Sequence, residues 1–209
     1  MFAPIRFAMI ALLGLFLTQT AFASPESEAF VKENAELVLS TLGDDNLSKE
    51  ARTAKFQEYM NEFSDQPRIA RYVIGKYAKQ FSQPDLARYK SAFTDYSLAS
   101  YEANFDAFRG GSIKVDGSKE GKRGRWSFVR TTVTARNGDK LEAHWRLQIN
   151  KDGSFQVFDV GLNLDGNLIW LGLSQRDQLL AFLDRNQGSA DALIGKLEEL
   201  TAELRAKSS

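Results

Sequence analysis

His144 is the one histidine of the chain and the side chain whose ordinary pKa best suits proton transfer near neutrality. It sits in an alternating stretch with Leu141, Ala143, Trp145, Leu147 and Ile149 on one face, and Glu142, His144, Arg146 and Gln148 on the other. Two readings are open to it, a general base or an exposed, hydrogen-bonded strand histidine, and its polar neighbours favour the second. No G-x-S-x-G turn is present, so a serine triad around it has no support. The absence of Cys excludes thiol nucleophiles and thiolate metal sites, and one His cannot build a multi-histidine zinc site. Gly117-Ser118-Lys119-Glu120-Gly121-Lys122-Arg123 looks like a phosphate loop, but one residue too few separates its glycines and Arg123 stands where Ser or Thr is required. Its cluster of Lys119, Lys122, Arg123 and Arg125 is either a solvated hairpin or a surface for anionic headgroups. Asp165-Gly166-Asn167 is too short for a calcium loop and reads as a turn. A two-carboxylate hydrolase stays open, because no spacing singles out a pair.

The elements that would position these groups begin with an address. Residues 1–23 carry Arg6 near a positive start, an apolar stretch from Phe7 to Leu17, and Ala21-Phe22-Ala23 as an A-x-A cleavage site before Ser24. That stretch is shorter than the roughly 20 residues a spanning helix needs, so residues 1–23 are expected to be a signal peptide and residues 24–209 one exported, periplasmic domain. The 27 Lys and Arg balance the 27 Asp and Glu, which argues against a nucleic-acid partner.

Apolar positions then recur with helical spacing. Phe30, Val31, Ala35, Val38, Leu39 and Leu42 define a helix over 26–42 that Gly43 stops. A second, capped by Ser48, carries Ala51, Phe56, Tyr59, Met60 and Phe63. Pro67 opens a third carrying Ile69, Ala70, Val73, Ile74 and Tyr77, and Pro84 a fourth that reaches 108. Gly110-Gly111 ends the helical half, and the period changes to two. Four strands follow: Ile113 with Val115; Trp126 and Phe128, then Val129, Thr131 and Val133 after a phase slip; Leu141 to Ile149; and Phe155 and Val157, then Phe158, Val160, Leu162 and Leu164 after a second slip. Turn signals at Asn137-Gly138 and Lys151-Asp152-Gly153 join them into an antiparallel meander. The phase slips predict bulges and a curved sheet. Helices over 174–186 and 189–206 close the chain. The order predicts an α+β fold with NTF2-like shape, in which helices cover a curved four-stranded sheet and enclose an apolar cavity.

Several segments, taken in order, resemble the MlaC-type (toluene-tolerance) periplasmic phospholipid carriers and their hopanoid-associated relatives. They are Phe30-Val31 with Val38-Leu39; Ile69-Ala70-Arg71-Tyr72-Val73-Ile74-Gly75-Lys76-Tyr77, close to that family's I-A-x-x-x-L-G-x-Y-W; Phe93 with Tyr101; Trp145-Arg146-Leu147; Phe158-Asp159-Val160; and Arg176 before the closing helices. Ala78 stands where the family usually has Trp, and Leu164-Asp165-Gly166-Asn167 replaces the usual E-G-V-S. The resemblance implies a phospholipid ligand held by its acyl chains. It implies shuttling between an outer-membrane lipoprotein complex and the MCE-type subunit of an inner-membrane ABC transporter, by transient docking of a monomer. It implies neither cofactor nor metal.

A soluble carrier must enclose its lipid's tails, because exposing a long chain costs on the order of 12 kcal/mol at roughly 0.8 kcal/mol per CH₂. The expected lining is Val73, Tyr77, Phe93, Tyr101, Trp145, Leu147, Phe158, Val160 and Leu164, with Arg71, Lys76 and Arg176 as headgroup or partner contacts. Gly75, within the third helix, would allow close packing or leave room for a chain. A small NTF2-like enzyme acting on an apolar substrate, with Asp159 or His144 as its acid or base, is the alternative. So is a carrier of hopanoid or another lipid. A structural adaptor would have no cavity.

Overall fold

A computed structural model describes residues 24–105, 108 and 110–207, so the segment expected to be a signal peptide lies outside the described residues. Helix α1 (Pro25–Leu42) starts at Ser24, whose side chain accepts from the Ser27 N–H, with Pro25 in the first turn. Its buried positions Ser27, Val31, Ala35 and Leu39 repeat every fourth residue and form the face turned to the sheet. Helix α2 (Lys49–Phe63) is capped by Ser48, and α3 (Gln66–Val73) by Asp65. Helix α4 spans Gln83–Phe105, and Ser82 receives the Asp85 N–H at its start.

The third helix stops earlier than its apolar spacing suggests. It ends at Val73, and Gly75–Lys79 forms a separate 3₁₀ turn. Gly75 takes φ +50°, a left-handed conformation that costs a side-chain-bearing residue about 1–2 kcal/mol. A Cβ there would lie 2.8 Å from Arg176 Nη2, so the glycine serves both the bend and the arginine beneath it.

The sheet is an antiparallel meander in the order β1 (Ser112–Glu120), β2 (Trp126–Thr134), β3 (Lys140–Ile149), β4 (Phe155–Leu164), β5 (Asn167–Trp170). It has five strands where four were expected. The fifth is a four-residue edge strand folded back through Asp165 and Gly166, both at positive φ. Leu168-Ile169-Trp170 is too short to display an alternation. A bulge falls in β4, where Leu147 pairs with Val157 and Arg146 with Asp159, leaving Phe158 as the extra residue; another falls at Asp116. The slip expected after Phe128 is absent. Strand β2 runs in unbroken register along β3, and its two faces are both apolar because both are partly covered.

On one face Val129, Leu147, Phe155 and Val157 pack against Phe30 and Val31 of α1. A second core holds Val73, Ile74, Tyr77, Tyr89, Phe93, Leu183, Leu193 and Leu197, contributed by α3, the 3₁₀ turn, α4 and the closing helices α5 (Leu171–Arg185) and α6 (Ala190–Lys207). Helix α5 begins three residues before the expected Ser174, at Leu171. Its cap Trp170 makes no side-chain bond, and Asp159 of β4 receives the Gly172 N–H at 2.7 Å instead. No helix among the described residues is long and apolar enough to cross a membrane.

Candidate functional site

A cleft of about 500 Å³ opens between α3 with its following turn and the face of the sheet opposite α1. That volume lies within the roughly 300–1,000 Å³ common for small-molecule sites. Tyr72, Gly75 and Ala78 form the helical wall, Trp126, Arg146 and Phe158 the sheet wall, and Arg68, Arg71 and Lys79 the rim. The β4 bulge makes this wall, because Val157 faces α1 while Phe158 and Asp159 both turn to the other side. Phe158 then meets Tyr72 edge-on at 5.0 Å and Trp126 at 5.1 Å between ring centroids.

Arg146 lies within this aromatic group, its Cζ 4.8 Å from the Phe158 centroid, 5.5 Å from Trp170 and 5.6 Å from Trp126. Its Nη2 donates to Asp159 Oδ2 at 3.3 Å, and its buried Nε has no partner among the described residues. The Asp159 side chain is 1% exposed. Burial pushes its carboxyl above the ordinary carboxylate value, against the Gly172 N–H and the Arg146 charge, which pull it down. Burial, reinforced by the Asp159 charge, pushes the Tyr101 phenol up to about 12. The cleft is thus amphipathic, with apolar walls, a guanidinium in its floor and a cationic rim.

A family model described as MlaC protein matches residues 32–199. The chain belongs to the MlaC family. A solved structure similar to it is a phospholipid-binding protein from Ralstonia solanacearum in complex with a phospholipid, 20% identical, with a TM-score of 0.70, covering 85% of this chain and 98% of that one. No curated protein matches the sequence.

Within this MlaC fold the residues singled out in the sequence disperse. Phe158 and Arg71 line the cleft. Val73, Tyr77 and Phe93 lie in the helical core, where the Tyr77 hydroxyl donates to Asp184 Oδ1 at 2.6 Å. Lys76 donates to the same oxygen at 2.8 Å, tying the 3₁₀ turn to α5. Asp184 raises the pKa of both side chains, chiefly through these hydrogen bonds. Leu147 is fully buried beneath α1, and Trp145 beside it donates from Nε1 to Thr131 Oγ1 at 2.9 Å. Val160 pairs with Trp145 and is half-buried, whereas Leu164 is 46% exposed at the strand's end. Tyr101 packs edge-on against Phe56. Arg176 donates from Nη1 to the Tyr72 carbonyl and lies over that ring. His144 pairs with Glu142 Oε1 at 2.7 Å on the sheet, a hydrogen-bonded strand histidine.

Sequence reasoning passed over Arg68, Tyr72, Lys79, Trp126 and Arg146. One signal for them was available: Trp126 and Phe128 are apolar on the face of β2 opposite Val129, which marks a sheet covered on both sides.

Proposed function

We propose that the chain is a phospholipid carrier that holds its ligand in this cleft. The observation that carries the reading is an open cleft with Tyr72, Trp126 and Phe158 on its walls and cations on its rim, which suits a molecule with an apolar body and a phosphate head. Membership of the MlaC family and the lipid-bound R. solanacearum structure support it. Residues 1–23 act as an export signal and residues 24–209 form the periplasmic domain. The carrier takes lipid between an outer-membrane lipoprotein complex and the MCE-type subunit of an inner-membrane ABC transporter, which maintains outer-membrane lipid asymmetry. Of the expected lining Phe158, and of the expected headgroup contacts Arg71, touch the lipid directly. Val73, Tyr77 and Phe93 belong to the helical core and Leu147 and Trp145 to the core beneath α1, whereas Leu164 and Lys76 are exposed.

The enzyme alternative needs a free acid or base at the cleft. Asp159 is the buried candidate, but its Oδ1 accepts from Gly172 and its Oδ2 from Arg146, so both oxygens serve the fold. Organic extraction and mass spectrometry of the purified exported protein test the carrier reading. A stoichiometric phospholipid is expected. Protein that is lipid-free after purification and takes up no lipid from vesicles overturns the reading.

A further inference from the structure

Leu164, Leu168, Ile169 and Leu173 are four of the five large apolar side chains that stand exposed among the described residues, and they gather on the β4–β5 hairpin and the first turn of α5. Strand β5 ends the sheet, so alternate residues along it turn their N–H and C=O groups outward, and among the described residues no backbone partner other than β4 takes them up. The opposite edge is protected in the usual ways, for β1 carries Lys114, Lys119 and the bulge at Asp116. Asn167-Leu168-Ile169-Trp170 has no charge, no proline and no bulge. Register sets its apolar groups on both faces of the sheet. Ile169 follows Leu162 and Ala143 to the side under α1, whereas Leu168 follows Asn163 and Glu142 to the cleft side. Asp165 in the turn and Asp177, one helical turn beyond Leu173, flank the patch, are exposed, and have no ion pair among the described residues.

We infer that the β5 edge docks an extended segment of a partner protein, one with alternating apolar residues between flanking Lys or Arg, as an added strand of the sheet. Such a strand pairs with the open main-chain groups, and because its side chains alternate it covers Leu168 with one set and Ile169 with the other. A bilayer does neither, since hydrocarbon offers the backbone no partner and a flat surface meets one face of a sheet only. Pairing with a second copy would set Asp165 and Asp177 against acids of their own kind, whereas basic flanks complement them. So short an edge buries far less than the roughly 1,600 Å² of a standard interface, which makes the docking transient. None of these residues lines the cleft, so the surface is separate from the lipid site.

The test selects peptides on immobilised full-length mature protein from a random library, then titrates the best of them by fluorescence anisotropy. Peptides that alternate apolar residues between basic ends are expected. N-methylation at alternate peptide residues removes main-chain donors and should weaken binding about tenfold. Ile169→Lys, which places a charge on the edge, should weaken it by about as much. Asp165→Asn with Asp177→Asn should cost about fourfold, since an exposed ion pair contributes a factor of about two, and Asn accepts the positive φ at 165. Leu37→Lys, exposed on α1, leaves binding unchanged, and circular dichroism confirms each fold. A selection that returns no such peptide, or binding that survives N-methylation or Ile169→Lys, overturns the inference. So does a wild-type dimer that Ile169→Lys disperses, or flotation on phosphatidylcholine vesicles that the same substitution abolishes. Lipid extracted from the Ile169→Lys protein should match the wild type. Joint loss of lipid and peptide in that variant would make the patch part of the lipid site and overturn the docking, whereas lipid absent from both proteins overturns the carrier reading alone.

Discussion

Gly75→Ala tests the joint between α3 and α5 that supports the cleft's helical wall. Two costs are expected. Ala at φ +50° is strained by about 1–2 kcal/mol. Its Cβ would also stand 2.8 Å from Nη2 and 2.9 Å from Nη1 of Arg176, so the guanidinium must leave. It then gives up its bond to the Tyr72 carbonyl, about 1.5–3 kcal/mol for a charged donor, and its position over the Tyr72 ring, about 0.5–1 kcal/mol. The whole is about 3–6 kcal/mol. In an Arg176→Ala background the second cost has already been incurred, so the same substitution should remove only the backbone portion, about 1–2 kcal/mol. Urea denaturation of the four proteins in this cycle measures the coupling, expected at about 2–4 kcal/mol. Equal losses in the two backgrounds would show that Gly75 is required for its backbone alone and that the Arg176 contact contributes nothing.

Burial holds the Asp159 carboxyl above its ordinary value, so in the window between the unfolded and folded pKa the native protein keeps a proton that the unfolded chain has lost, and this group's contribution to stability falls as pH rises through that window. Denaturant midpoints across the acid range should therefore rise more steeply with pH in Asp159→Asn than in the wild type; an unchanged slope would mean that Asp159 is not desolvated. Leu147→Ala, beneath α1, should cost about 2–5 kcal/mol by urea denaturation yet leave the lipid content of folded protein unchanged, while Phe158→Ala should lower the lipid content. Lipid loss in folded Leu147→Ala protein would move the pocket to the other face of the sheet.

Much of the architecture follows from local pattern. Val31, Ala35 and Leu39 at four-residue steps, Ser48 and Pro67 at helix starts, and the alternation from Leu141 to Ile149 each express a backbone preference that neighbouring residues suffice to decide. The α+β order and the bulge before Phe158 were legible on those grounds. The break after Val73 was not, because Ile74 and Tyr77 keep the helical spacing and remain buried through the 3₁₀ turn. The start of α5 was equally hidden, since its cap comes from Asp159 on a strand.

The candidate site shows the same division more sharply. Residue types alone determined that the chain has no thiol chemistry, one titratable histidine and an excess of aromatic surface over any catalytic constellation. They could not determine which aromatics face an opening, because a core position and a cleft wall have the same hydrophobicity and the same period. Leu147 and Arg146 are adjacent on β3, yet one is sealed under α1 and the other lies in the cleft floor. That choice belongs to the tertiary structure: pairing β3 with a bulged β4 turns Phe158 and Asp159 to one side together, and packing α3 and α5 over that side brings Tyr72 and the rim cations to meet them.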